Sequence, residues 1–380
     1  MPQPPSERAD SLTPPFAAPI DLARPEIRGL PLYAPDQSPT RCQVDVSDNT
    51  NLWGMPPASL RALRDTPGNV VARYPSLYSA TLKDALRAYV GVESAGIVTG
   101  CGSDDVLDAA MRAFGAPGDA IAFSAPTFSM IPTFARVNGL EPVAIPLRDA
   151  DGEYDIDAER LVATDAKLIY LCTPNNPTAT AISRSAVEYV LTHARGIVII
   201  DEAYAEFAAA THDDLVMRHD RLLVARTLSK AFGLAGLRIG YGIASPALVG
   251  LVERARGPYK VNALAERAAL AALGPGDDAL GWVRTHAALA RTNCIRLSNE
   301  LRDLGLFAFP SDANFLLVPR AGSRQLARRL QELGVLVRSH RDLPRDLAAL
   351  RESKGEALRM GVGPWEMMQQ LLDALREALR

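Results

Sequence analysis

The chain has 380 residues, 48% of them hydrophobic and 22% charged, with a net charge of −3 from 41 basic and 44 acidic side chains. That length buries a large core and usually divides into two domains, and the composition excludes a disordered chain. The charge balance excludes a nucleic-acid surface built on bulk positive charge.

Six of the first twenty residues are proline, which predicts a loose arm rather than a helix or strand. The arm has no charged-then-apolar leader pattern. No run in the chain approaches the roughly 20 apolar residues that span a bilayer. A cytoplasmic protein without a membrane partner is the reading.

Segment 103–114 reads as a helix, with Ser103 as its N-cap and Asp104 and Asp105 in its first turn. Four short runs follow at 120–126, 167–174, 196–204 and 221–229. Each is apolar throughout, the pattern of strands buried on both faces of a mainly parallel sheet. Segment 183–194 is a helix with Val187, Val190 and Leu191 on its inner side. The last third changes character: a long amphipathic helix over 283–305, a strand at 313–319, a helix at 324–333, the run "GVLVRSH" at 334–340, and a closing helix over 364–380. The predicted architecture is α/β, with an N-terminal arm (1–45), a large domain (46–265) and a smaller α+β domain (266–380).

The four cysteines, Cys42, Cys101, Cys172 and Cys294, form no CxxC pair, so neither a disulfide framework nor a zinc site is indicated. His212 and His219 lack the spacing of metal ligands, and "THDDLVMRHD" reads as a polar helix surface.

Lysine is scarce: five among the 41 basic residues. One of them, Lys230, stands in "TLSKAFGLAGLRIGYG" at the end of a predicted strand. Other strand ends carry Asp201 and Tyr204, Asn175 and Asn176, and Phe128 after "SAPT". In a doubly wound sheet such ends converge on one crevice. The helix N-terminus at Gly102, Ser103 and Asp104 offers N–H groups to a phosphate. Thr227 and Ser229 add hydroxyls there, and Arg238 adds a charged fork. Asp201 suits a protonated ring nitrogen, Asn176 and Tyr204 a phenolate oxygen, Phe128 a ring face. Lys230 suits an aldehyde, with which it can form a Schiff base. That set describes pyridoxal 5′-phosphate. Asn175 reads as a turn residue. "GCGSDD" lacks the third glycine of a dinucleotide fingerprint.

The ordered set "PNNPT", "DEAY" and "TLSKAFGLAGLRIGY" resembles the fold-type I pyridoxal-phosphate-dependent aminotransferases, and within them the histidinol-phosphate aminotransferase family. The likeness runs from about residue 26 to the C-terminus and takes in "RYP" (73–75), "YKVNALAE" (259–266), "DANFLLV" (312–318) and "LRMGVG" (358–363). It implies a ping-pong exchange of an amino group between L-histidinol phosphate and 2-oxoglutarate. It also implies a homodimer in which Tyr74 reaches the partner's cofactor phosphate. Arg359 then matches the carboxylate-binding arginine, Tyr33 and Arg338 sit where the substrate's distal phosphate is handled, and Asn51 lies at the substrate entrance.

Two positions depart from the family pattern. Ala179 replaces the glycine after Asn-Pro-Thr, a small change because alanine fits every common backbone conformation except positive φ. "NTNLWG" (49–54) replaces Asn-Glu-Asn-Pro at the substrate entrance, and bulky Trp53 there leaves an aromatic amino donor open. A decarboxylase of the same fold is a further reading, separable by CO2 release without an oxo acid. A non-enzymatic effector domain is disfavoured, since no DNA-binding helix pair precedes the domain.

Overall fold

The computed structural model describes residues 19–32, 42–92, 94–150, 152–276 and 278–380. The chain divides into two units, residues 1–34 and 35–380. In the first, Pro19–Leu22 and Pro25–Arg28 are single helical turns, each opening on a proline. Proline tolerates that position because the first N–H groups of a helix have no partner in any case. The rest of the predicted arm up to residue 18, and Tyr33, lie outside the described residues.

The second unit is built on a seven-stranded sheet. Its strands in chain order are β1 (Gly96–Cys101), β2 (Ala120–Ala125), β3 (Glu141–Pro146), β4 (Leu168–Cys172), β5 (Ile197–Asp201), β6 (Leu222–Thr227) and β7 (Ile239–Ala244). They lie in the order β1-β7-β6-β5-β4-β2-β3. Only β7 runs against its neighbours; the other six are parallel. Every residue of β4, β6 and β7 is buried, as continuous apolar runs require when helices cover both faces. The parallel arrangement gathers Cys101, Ala125, Cys172, Asp201 and Thr227 along one edge.

The covering helices follow the sequence pattern. Arg184–His193 is capped by Ser183, whose hydroxyl accepts from the Ala186 N–H at 3.2 Å. It buries Val187, Val190 and Leu191, each contributing about 1.5–3 kcal/mol by removal from water. Ser103–Phe114 differs from the reading in one respect: its cap position is Gly102, with φ +82°, and Ser103 is the first helical residue. No side chain caps the helix; Asp105 Oδ2 instead reaches back to accept from the Cys101 N–H at 3.0 Å, which ties the strand end to the first helical turn. The helix start lies tight against β7: a Cβ on Gly240 would sit 2.0 Å from the Ser103 nitrogen. Only glycine permits that approach.

The last third forms a three-stranded antiparallel sheet in which Ala357–Gly361 lies between Phe315–Pro319 and Arg338–His340. The run at 334–340 divides: Val335–Leu336 pairs instead with Val44–Asp45, in parallel. One face of the three-stranded sheet carries Leu316, Val318, Leu358 and Met360 into a core with the helices Ala279–Asp303, Ser323–Glu332 and Trp365–Ala378. The opposite face carries Phe315, Leu317 and Ala357 into the core that underlies β4, β5 and β6. Alternation therefore turns Arg359, between Leu358 and Met360, toward the strand ends of the large sheet. No helix among the described residues is long and apolar enough to cross a membrane.

Candidate active site

Asp201, Tyr204, Lys230, Arg238, Ser103, Asp104, Phe128, Asn176, Thr227 and Ser229 line one cleft at the strand ends, with a cavity volume of about 130 Å³. Asp201 closes β5 and is buried. Its Oδ2 accepts from the Tyr170 hydroxyl at 2.8 Å and its Oδ1 from the Ala203 N–H at 3.1 Å. Burial pushes its carboxyl up to about 6, and nearby Asp104 adds to the rise, while the bond from Tyr170 opposes it. The carboxylate is thus fixed in place, and a cationic partner in the cleft restores what desolvation takes away.

Lys230 follows β6. Its Nζ donates to the Asp48 carbonyl at 3.3 Å and stands 5.7 Å from the centre of the Tyr204 ring. Burial lowers the amine to about 8, and the Arg359 and Arg238 cations add to the drop. A much larger share of it is therefore the neutral nucleophile near neutral pH than for an ordinary lysine. Tyr204 is buried, accepts from Asn49 Nδ2 at 3.1 Å, and has its phenol pushed up by burial.

At one end of the cleft lie the helix N-terminus, two hydroxyls and a guanidinium, groups able to cradle an anion. Thr227 Oγ1 lies 2.9 Å from Ser229 Oγ and 3.0 Å from the Ile239 carbonyl, and accepts from the Ser229 N–H at 3.1 Å. Arg238 donates to Asp104 Oδ2 at 3.3 Å. A Cβ at Gly102 would stand 2.5 Å from the Arg238 guanidinium, so the glycine keeps that cation at the helix start. Asp104 has its carboxyl raised by burial.

At the other end, Arg359 Nη1 donates to Asn176 Oδ1 at 2.8 Å and Nη2 to the Ser47 carbonyl at 2.8 Å. Arg338 lies directly across the ladder from Arg359, so both side chains leave the same face of the sheet. Asn51 does not line the cleft. Its Nδ2 donates to the Ala231 carbonyl at 2.8 Å, and its Oδ1 accepts from the Trp53 N–H at 2.9 Å. Trp53 packs edge-on against His286 at 5.7 Å. Tyr74 is 84% exposed, stacked on Tyr259 at 4.9 Å, and does not line this chain's own cleft.

Several features escaped the sequence reading. Tyr170 and Cys172 looked like core residues of an apolar run, yet one holds Asp201 and the other lines the cleft. The register of β4 against β5 sets Cys172 beside Asp201. Ser47, Asp48 and Asn49 touch Arg359, Lys230 and Tyr204. His212 is buried rather than on a polar surface: its N–H donates to Glu202 Oε1 at 2.6 Å and its Nδ1 lies 3.0 Å from the same oxygen. Arg226 donates to Glu202 Oε2 at 2.8 Å and to Asp213 at 2.6 Å, so the charges of "THDD" are drawn inward by a buried arginine. Asn175 is a cross-brace as well as a turn, bonded to Thr127, the Pro126 carbonyl and Thr178. Ala179 sits at φ +66° and is fully buried. The substitution for glycine therefore falls in the one backbone region where alanine is strained.

The family described as aminotransferase class I and II matches residues 42–375. The chain belongs to this family. Among aminotransferase relatives, the histidinol-phosphate aminotransferase of Desulfitobacterium hafniense is 34% identical over 369 residues, covering 94% of this chain and 97% of that one. Histidinol-phosphate aminotransferase 2 of Ralstonia nicotianae is 40% identical over 307 residues, covering 78% and 80%. Among solved aminotransferase structures, the histidinol-phosphate aminotransferase of Sinorhizobium meliloti in complex with pyridoxal-5′-phosphate superposes with a TM-score of 0.79, at 26% identity, covering 94% of this chain and 97% of that one.

Proposed function

We propose that this protein is a pyridoxal-phosphate-dependent aminotransferase that exchanges an amino group between L-histidinol phosphate and 2-oxoglutarate, a reaction of histidine biosynthesis. The carrying observation is the convergence of a depressed lysine amine, a buried aspartate and an anion cradle on one cleft, faced by Arg359. The donor set fits the cofactor. Gly102 leaves room for Arg238 at the cradle, and Asp201 is a buried carboxylate whose hydrogen bonds come from a hydroxyl and a backbone N–H, with no ion pair among the described residues. The family and its relatives point the same way.

When bound, pyridoxal phosphate supplies an aldehyde that captures amines and a ring that accepts an electron pair. The chain's residues do the rest. Lys230 would present its amine to that aldehyde and would hold and move the proton at the donor's Cα. Asp201 would hold the ring nitrogen's proton, so that charge developing in the ring is stabilised. Tyr204 and Asn176 would serve the phenolate oxygen, and Phe128 a ring face. Ser103, Thr227, Ser229 and Arg238 would hold the phosphate. In the second half-reaction the same groups serve the oxo acid.

The reading takes Arg359 for the carboxylate of 2-oxoglutarate and Arg338 for the phosphate of the donor, with a bidentate fork suiting either anion. It also takes the protein as a cytoplasmic homodimer whose Tyr74 completes the partner's cradle, with a large portion over 46–265 and a small one over 266–380. The exposure of Tyr74 supports that role.

The test offers histidinol phosphate, phenylalanine and tyrosine separately with 2-oxoglutarate and compares kcat/KM. Histidinol phosphate should lead. Arg338→Ala should lower its kcat/KM by about 10- to 100-fold, and Arg359→Lys should weaken the oxo acid more than the donor. A higher value for phenylalanine overturns the substrate assignment and leaves the aminotransferase standing.

A further inference from the structure

Tyr204 owes its orientation to a residue that the cofactor does not need to touch. Asn49 Nδ2 lies 3.1 Å from the Tyr204 hydroxyl oxygen. An amide NH2 group only donates, so the tyrosine oxygen accepts on that side. The hydroxyl hydrogen must then turn elsewhere, and Tyr204 itself lines the cleft together with Asp201, Asn176 and Lys230.

The backbone of Asn49 is held firmly beside Tyr204. It is 2% exposed, its backbone sits at φ +53°, and Asn314 Nδ2 clamps its carbonyl at 3.1 Å. Asparagine is among the few residues that visit this backbone region readily. Its own Oδ1 is buried without a hydrogen-bond partner among the described residues. Leaving an acceptor dry is unfavourable. Reversing the amide would satisfy Oδ1 by taking the Tyr204 proton, and would turn that proton away from the cleft.

We propose that Asn49 is a positioning residue that fixes the direction of the Tyr204 O–H, so that the tyrosine donates into the cleft toward the phenolate oxygen of the cofactor. The inference rests on the pyridoxal-phosphate reading above. Donation to a phenolate oxygen favours its charged form. It therefore competes with the proton shared between that oxygen and the Lys230 nitrogen, and lowers the pH at which this proton leaves.

The experiment is an absorbance titration of the bound cofactor between about pH 5 and 9. It uses holoprotein of the wild type, Asn49→Asp, Asn49→Ala, Tyr204→Phe and the double variant Asn49→Asp/Tyr204→Phe, each checked by circular dichroism. A carboxylate only accepts, so Asn49→Asp captures the tyrosine proton. Its midpoint should rise by about 1 pH unit, as in Tyr204→Phe, and Asn49→Ala should fall between these and the wild type. The double variant should titrate with Tyr204→Phe alone. A midpoint for Asn49→Asp or Asn49→Ala equal to the wild type overturns the proposal. So does a further rise in the double variant, since that is the mark of added charge acting without the tyrosine. If Asn49→Asp does not fold, Asn49→Ala decides. Wild-type protein that takes up no pyridoxal phosphate sinks the cofactor reading itself, a result distinct from either of these.

Discussion

At the scale of single residues, the site works by withholding water from charges that the cofactor then compensates. Asp201 is the clearest case: burial pushes its carboxyl up to about 6, which makes a nearby ring cation the natural partner. Asp201→Ala removes one preorganised electrostatic group and should lower kcat by about 10²–10³-fold, with a smaller change in cofactor occupancy. Steady-state rates beside the absorbance of the bound cofactor check both halves of that statement. Lys230 gives a pH dependence. Its amine is lowered to about 8, and the neutral form is the one that attacks an aldehyde. Uptake of pyridoxal phosphate by cofactor-free protein should therefore climb with pH and level off above about 8, whereas a lysine near its ordinary value of about 10.4 would still be climbing there. Stopped-flow absorbance follows this directly. Lys230→Ala should fold and show no turnover, because the residue lines a cleft and fills little core.

Among elements, the strand ends were legible in the sequence because burial on both faces leaves a simple mark: runs such as "KLIYLC" and "GIVIID" with no polar alternation. The residues after each run were legible for the same reason, since polar groups at the end of a buried strand need a purpose. What escaped was whatever depends on partners far away in sequence. His212 looked solvated until Glu202 and Arg226 drew it inward. Asn49 touches Tyr204 across 155 positions of sequence, a contact no local pattern reveals. The strand Ile239–Ala244, with its two glycines, carried little strand propensity, and the need for Gly240 shows only when the helix start is seen against it. Ala179 is a conformational surprise of the same kind. Restoring glycine there relieves about 1–2 kcal/mol of left-handed strain, but gives up about 0.8 kcal/mol of methyl burial and about 0.5–1 kcal/mol of unfolded-chain entropy. The terms nearly cancel. Ala179→Gly should change stability by less than about 1 kcal/mol, while Ala269→Gly, buried in the helix Ala263–Leu273, should lose about 1.5–2 kcal/mol. Urea unfolding of the two variants side by side measures the difference.

For the molecule as a whole, the prediction concerns assembly. Tyr74 is exposed and absent from its own cleft, so the homodimer reading makes a prediction that a monomeric enzyme cannot meet. Lys230→Ala and Tyr74→Ala proteins, each impaired alone, should regain activity when unfolded and refolded together. The Tyr74→Ala chain keeps its lysine and receives an intact tyrosine from the other. Mixtures that stay at the average of the two separate activities remove the shared-site arrangement.

The segment from Ser47 to Asn51 has a consequence for how the protein is made. Its groups bond to Arg359, Lys230, Tyr204 and the backbone of Ala231. The first of these cleft components leaves the ribosome early and the last, Arg359, near the end of translation. Arg359 is added roughly 130 residues after Lys230, on the order of 10 s later at about 5–20 residues per second. During that interval the nascent chain carries Lys230 and the other lining residues of the cleft without the arginine that bonds to Asn176. A prematurely terminated chain ending before the strand Ala357–Gly361 would therefore keep Asp201, Tyr204 and Lys230 at the strand ends but lack Arg359, and with it the group proposed to hold the oxo acid's carboxylate.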